Sequence, residues 1–318
     1  MSLPQGIPSL DLSDFVKGNE NEKQNFIQNI GTAYEDIGFV AIRNHGIDDQ
    51  MIEQFYTLVK AFFALPEEIK KKYEIEGIGG QRGYTSFGKE HAKQRNTGDL
   101  KEFWHFGQFV EDGDPLKEEY SANVDVAELP DYLKLGRDAY KIFENTGRII
   151  LSALAQYLGL EVNYFDSHIH NGNSILRPIH YPPINNPEPD AVRAGEHEDI
   201  NLITLLVGAS ADGLQVLNKQ NEWVDVKNIQ NHIVVNVGDM LQRLTNNKMR
   251  STTHRVINPP VEMQGTSRYS IPFFLHPRPE MYLNCLPSCI NTENPKHYDD
   301  ITSDDYLKER LREIGLIK

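Results

Sequence analysis

Cysteine is nearly absent from this chain: Cys285 and Cys289 are the only two, too few for a disulfide framework. The stretch Met1 to Leu10 lacks the basic start and long apolar segment of a secretory signal, so a reduced, cytoplasmic protein is expected. Long apolar runs are missing as well. The clearest, Leu202 to Val207, is far below the ~20 residues needed to cross a bilayer as a helix, and no membrane partner is expected. Cationic faces are equally scarce. Lys and Arg number 32 against 46 Asp and Glu, for a formal net charge of -14, and the densest basic run, Lys70 to Lys72, sits beside Glu67, Glu68 and Glu74. Nucleic-acid binding requires a basic footprint, so nucleic acid is not an expected partner. An anionic small molecule would need a local cation to receive it, a role that suits a buried Arg.

What is present is an ordinary globular composition, 39% hydrophobic and 25% charged over 318 residues, enough for one sizeable core. Apolar residues at spacings of three and four mark helices over Glu22 to Ile37, Gln50 to Phe63 and Tyr132 to Leu158. Gly38 to Asn44 reads as a short strand between the first two. From Ser174 the pattern changes to short β-rich runs: Ser174 to Tyr181, Asn201 to Val207, Gly213 to Leu217, Trp223 to Val226, His232 to Val237, Thr253 to Asn258, Tyr269 to Leu275 and Met281 to Leu283. Such runs, broken by Gly, Asn, Asp and Pro, predict a β-sandwich or barrel. A last helix over Ser303 to Ile314 carries Asp304 and Asp305 in its first turn and can pack either on its own barrel or on a neighbouring molecule, which leaves the oligomeric state open. The layout is α+β without an evident linker: a single unit with a mainly helical region over 1–165, a β core over 170–290 and a helical extension over 291–318.

His197 and Asp199 stand two residues apart at the entry to a strand. In extended chain such a pair shares a face while Glu198 points away, so an imidazole and a carboxylate can converge on one ion. His254, in Thr253-His254-Arg255-Val256, is the best third ligand from a later strand. Two His and one carboxylate with positions left open is the set used by non-haem Fe(II) oxygenases. His-x-Asp alone admits a second reading, a polar strand end. Arg268 and Ser270 repeat the two-residue spacing in Arg268-Tyr269-Ser270, and a guanidinium with a neighbouring hydroxyl can fix the far end of a dicarboxylate. Tyr181, in Tyr181-Pro182-Pro183, offers a third donor. Alone, this pattern also fits a solvated strand edge.

Ile7-Pro8-Ser9-Leu10-Asp11-Leu12, Gly38-Phe39-Val40, Asn44-His45-Gly46-Ile47 and Phe62-Phe63-Ala64-Leu65-Pro66, followed in order by Tyr181-Pro182-Pro183, His197-x-Asp199, Gly213-Leu214-Gln215-Val216, Asn236-Val237-Gly238-Asp239, His254-Arg255-Val256 and Arg268-x-Ser270, run through most of the chain. This ordered series resembles the isopenicillin N synthase-like family of 2-oxoglutarate/Fe(II)-dependent dioxygenases. The resemblance implies a double-stranded β-helix, or jelly roll, with His197, Asp199 and His254 on iron and Arg268, Ser270 and Tyr181 on the C5 carboxylate of 2-oxoglutarate. It implies O2 as cosubstrate, ascorbate as a candidate reductant, and oxidation of a small organic molecule by hydroxylation, desaturation or cyclisation, with succinate and CO2 formed. Asn236, Gly238 and Asp239 read as a structural turn, and Arg255 as an ion-pairing neighbour of the site. Two alternatives stand beside it: an oxidase of the same family that uses no 2-oxoglutarate, and a catalytically silent jelly-roll binding module.

The segment Gly80 to Gly88 with Asp99 to Phe106 is rich in Gly, aromatics and Arg. It reads either as a lid over a small molecule or as a connector with its aromatics in the core. On the first reading Arg82, Tyr84, Phe106 and Phe274 contact the substrate, and Arg82 favours an acid.

Overall fold

Helix ends follow the capping chemistry of the sequence in the computed structural model, which describes residues 7–90, 98–184, 191–208, 212–227 and 229–313. The helices are α1 (Leu12–Val16), α2 (Glu20–Asp36), α3 (Asp49–Phe63), α4 (Glu67–Lys70), α5 (Tyr132–Tyr157), α6 (Asp166–Ile169), α7 (Asp239–Leu244) and α8 (Ser303–Glu313). At the start of α2 the Asn19 side chain accepts from the Glu22 N–H, and the Glu22 carboxylate accepts from the Asn19 N–H, a reciprocal cap that satisfies two end groups at once. Asp48 caps α3 through the Met51 N–H. The apolar stripe of α5, with Phe143, Ile150, Leu151 and Leu154, is wholly buried. The final helix packs on its own fold through Tyr306, Leu307 and Leu311; Ile314 lies outside the described residues.

The strands are β1 (Ser9–Asp11), β2 (Phe39–Arg43), β3 (Gly83–Thr85), β4 (Glu102–His105), β5 (Ile175–Leu176), β6 (Ile179–Tyr181), β7 (Ala194–His197), β8 (Ile203–Val207), β9 (Leu214–Leu217), β10 (Trp223–Asp225), β11 (His232–Val237), β12 (His254–Val256) and β13 (Arg268–Leu275). The larger sheet runs β1-β2-β11-β8-β13-β6-β4-β3 with β5 on β13, and the smaller runs β10-β9-β12-β7. Among these pairs β1 and β2 alone run parallel. Apolar side chains of the two sheets meet between them: Phe39 and Ala41 with Leu214 and Val216, and Ile179 and Tyr181 with Ala194 and Val256. This is the expected α+β jelly roll.

Three local expectations change. The segment read as lid or connector supplies β3 and β4, so the mainly helical first half contributes β1 to β4 to the larger sheet. The run Ser174 to Tyr181 splits into β5 and β6, because Pro272 of β13 has no N–H to offer the ladder; the Arg177 N–H instead reaches the Pro272 carbonyl at 2.9 Å. Met281 to Leu283 makes a single bridge, Tyr282 to Thr302, rather than a strand.

Phe62 ties these layers together. It is 0% exposed, its ring centroid 4.8 Å from that of Trp104 on β4 and 5.4 Å from that of Tyr132 on α5. Phe62→Ala is expected to destabilise the protein by about 3–5 kcal/mol, measured by urea unfolding; a loss below about 1 kcal/mol would show that β4 is held by other contacts.

Candidate metal centre and cosubstrate cavity

His197 ends β7 and His254 begins β12, and the antiparallel ladder sets them directly opposite each other, with ring centroids 4.4 Å apart. Asp199 follows two residues after His197, and its Oδ1 lies 3.7 Å from His254 Nε2. One ligand atom from each of the three lies within 4.8 Å of the others. Both imidazoles turn the same way: Nδ1 of His197 meets the Gly195 carbonyl at 2.7 Å, and Nδ1 of His254 meets the Thr252 carbonyl at 3.1 Å. With Nδ1–H donating to a carbonyl, the Nε2 lone pair is left for a metal. Glu198 points elsewhere and pairs with the Thr253 hydroxyl.

The third ligand is held by the opposite sheet. Thr204 on β8 and Asn236 on β11 are cross-strand partners, and both donate to Asp199 Oδ2, from the hydroxyl at 2.6 Å and the amide at 2.8 Å. Asn236 is therefore not part of a turn, as expected, but a strand residue that orients the carboxylate. Its signal in the sequence was an amide inside the apolar run Val235-Asn236-Val237, and Thr204 within Ile203-Thr204-Leu205 is the same signal. Gly238 is needed for closeness, because a Cβ there would stand 2.2 Å from the Asn201 carbonyl oxygen and 3.0 Å from that of Asp199. Burial, and then the neighbouring His254, push the His197 imidazole down to about 4. Burial alone would raise the Asp199 carboxyl, but the two imidazoles and the hydrogen bonds from Thr204 and Asn236 outweigh it and hold the group below its ordinary value. Neutral imidazole and ionised carboxylate are the forms that ligate a metal. Two imidazoles and one carboxylate, with other directions left open, fit Fe(II) by donor type.

Tyr181 on β6 is the cross-strand partner of Arg268 on β13, and the Arg268 guanidinium lies 4.9 Å from the Tyr181 ring centroid. Arg268, Ser270 and Tyr181 are buried. A single cavity inside the barrel is lined by these three and by His197, Asp199 and His254.

Residues 7–128 match a family model described as the non-haem dioxygenase in morphine synthesis N-terminal region, and residues 158–277 match that of the 2OG-Fe(II) oxygenase superfamily. The 2-oxoglutarate-Fe(II) type oxidoreductase hxnY of Emericella nidulans is 30% identical over 96% of this chain and 89% of its own length. The chain belongs to the 2OG-Fe(II) oxygenase superfamily. Among solved structures, a 2OG-Fe(II) oxygenase family protein from Caulobacter crescentus is 40% identical, with a TM-score of 0.87 over 98% of this chain and 99% of that one. A Neurospora crassa protein solved in complex with alpha-KG and thymine is 32% identical, with a TM-score of 0.83 over 96% of both chains. The protein is a 2-oxoglutarate- and Fe(II)-dependent oxygenase of a small-molecule substrate, with O2 as cosubstrate. A 2-oxoglutarate-independent oxidase is not favoured. Among the described residues no helix is long and apolar enough to cross a membrane.

In this oxygenase the substrate candidates separate. Phe274 lines both the barrel cavity and a second, outer cavity of about 180 Å³ that shares His197 and Asp199 with it. Arg82, Tyr84 and Phe106 line neither. The Arg82 guanidinium donates to the Gln81 and Ser121 carbonyls and to Gln108, and a Cβ on Gly107 would fall 1.8 Å from it. Tyr84 donates to Glu102 at 2.5 Å, and Phe106 packs on Tyr132 and Trp104. They are core residues because β3 and β4 extend the sheet instead of closing over it. Arg255 does pair with its neighbour Glu196, at 3.0 Å. The outer cavity is instead lined by Glu90, Lys101, His105, Arg177 and His276, and by Leu307 and Leu311 of α8; Lys101 and His105 come from the segment Asp99 to Phe106 read as a candidate lid, whereas Glu90, Arg177 and His276 gave no signal in the sequence.

Burial keeps two of these imidazoles neutral: His105 well below its ordinary value and His276 down to about 3. Their unfolded value is ~6.5. Because the folded values are depressed, their contribution to stability is complete above about pH 6.5 and is lost as pH falls, when the unfolded chain takes up protons that the fold excludes. Between pH 7 and 5.5, urea unfolding is expected to show His276→Leu losing about 1 kcal/mol less stability than the wild type, the oppositely shifted Glu144 and Asp239 acting equally in both proteins. Equal losses in the two proteins would mean that the His276 ring accepts a proton in place.

Proposed function

We propose that His197, Asp199 and His254 hold Fe(II), and that Arg268, Ser270 and Tyr181 receive the distal carboxylate of 2-oxoglutarate. The observation that supports this is the single barrel cavity lined by both trios. An ionised carboxylate buried in an acidic protein needs a paired cation, and Arg268 presents a planar fork suited to it. Ser270 adds a hydroxyl on the same face of β13, and Tyr181 closes the clamp from β6.

When bound, Fe(II) with 2-oxoglutarate and O2 supplies the oxidising power, 2-oxoglutarate leaving as succinate and CO2. The chain's own part is to orient and exclude. Thr204 and Asn236 fix the direction of the Asp199 carboxylate, Gly195 and Thr252 fix the two imidazole rings, and the apolar contacts of Phe39, Val256 and Ile179 keep the barrel interior dry. Phe274 then contributes an apolar wall where the inner cavity meets the outer one. We further infer that the helical and β regions work as one unit, since β1 to β4 complete the larger sheet. Two free cysteines support a reducing compartment, and a net charge of -14 supports a small molecule over a nucleic acid.

Aerobic incubation with Fe(II) and 2-oxoglutarate should yield succinate, and His197→Ala, Asp199→Ala or His254→Ala should each reduce it at least ~100-fold. Arg268→Leu should raise the Kd for 2-oxoglutarate in the anaerobic metal complex about 10- to 100-fold, and Asn236→Ala should weaken metal binding about 10- to 100-fold. Unchanged 2-oxoglutarate affinity in Arg268→Leu would remove the clamp from this reading.

A further inference from the structure

We propose that the prime substrate is an uncharged polar molecule that carries at least one N–H or O–H donor, received in the outer cavity by Glu90 and His276. The inference rests on the function proposed above.

Charge on the cavity wall cancels internally. Lys101 Nζ lies 2.7 Å from Glu90 and 2.9 Å from Asp99, and the Arg177 guanidinium lies 3.3 Å from the same Glu90 oxygen. Two cations thus face two anions, and the third cation on the wall, Arg310, is itself paired with Glu313 at 2.7 Å. Glu90, Asp99 and Lys101 are only 8%, 4% and 6% exposed, so these pairs are shielded from water, where breaking one leaves an uncompensated buried charge. The same contacts hold Glu90 well below the ordinary carboxylate range and Lys101 above the ordinary amine range, so the charges of this pair persist at neutral pH. A substrate carboxylate would have to take Lys101 or Arg177 from Glu90, and the rim adds Glu196 and Glu198, which repel it further. A cationic substrate would meet Lys101 and Arg177. Arg82, the cation that pointed to an acid in the sequence, does not face the cavity.

Hydrogen-bonding capacity is left over where charge is not. Glu90 Oε2, His276 Nδ1 and Arg310 Nε are buried with no hydrogen-bond partner among the described residues, and all three residues line the outer cavity. Leaving such a group unsatisfied costs about 1–3 kcal/mol, which a ligand can recover. Glu90 Oε2 is an acceptor and therefore needs an N–H or O–H from the substrate. His276 is 7% exposed, and as a neutral ring it has one donor and one acceptor nitrogen, so it suits an amide or hydroxyl rather than an ion. Arg177 is held between two rings, 4.4 Å from the Phe103 centroid and 5.0 Å from that of Phe274. The pair leaves it little freedom to swing out towards an anion.

Three matched pairs test this: benzamide with benzoate, phenylacetamide with phenylacetate, and cinnamamide with cinnamate, each titrated into the anaerobic Fe(II) complex at saturating 2-oxoglutarate while the charge-transfer absorption is followed. The expected result is a perturbation by amides, with each amide that binds favoured at least tenfold over its acid. Glu90→Gln, which keeps the shape but leaves the wall one positive charge in excess, should reduce that preference at least tenfold, and His276→Leu should weaken amide binding about tenfold. Acids that bind as well as their amides, amides that leave the spectrum unchanged, or a Glu90→Gln preference equal to that of the wild type would each overturn the proposal. Failure of the wild-type metal complex to take up 2-oxoglutarate would instead overturn the function proposed above.

Discussion

The pairing of β7 with β12 is the constraint on which the site depends. It places His197 opposite His254, and because side chains alternate across a strand, a slip of one residue would turn one of the two rings out of the barrel. The third member of the trio does not belong to that ladder. Asp199 lies just past the end of β7 and is oriented from the larger sheet by Thr204 and Asn236, so the trio exists only where the two sheets face each other. Closure of the jelly roll and assembly of the metal centre are one event.

The same geometry explains how an acidic protein manages anionic chemistry. Cations are buried singly or in pairs at defined depths: Arg268 inside the barrel, and Lys101 and Arg177 where the inner and outer cavities meet. The deep one faces the place proposed for the dicarboxylate. The shallower two are already paired with Glu90 and Asp99, which separates a charged cosubstrate from an uncharged substrate without any difference in overall field. Arg177 lies where the missing N–H of Pro272 divides β5 from β6, its own N–H still donating to the Pro272 carbonyl.

Much of the fold was legible because its signals are local. Helical spacing set α2, α3 and α5, with side-chain caps on the first two, and period-two or apolar runs set β8, β9, β11 and β13 to within a residue or two. β3 and β4 were not legible. Their glycines and mixed polarity look like a loop, and they become strands only because β6 offers an edge to pair with. The three substrate candidates drawn from that segment, Arg82, Tyr84 and Phe106, were misplaced for the same reason. Aromatic and cationic character was visible, but the direction it faces is decided by pairing.

By itself the sequence determined which side chains of metal-ligand and clamp type lie two residues apart, as in His197-x-Asp199 and Arg268-x-Ser270, since the alternation of an extended chain is a local property. Tertiary structure decided the rest. Which strand faces which, that Thr204 and Asn236 converge on one carboxylate oxygen, and that Glu90, Lys101 and Arg177 neutralise one another all depend on contacts between residues far apart in the chain. No local pattern encodes such contacts.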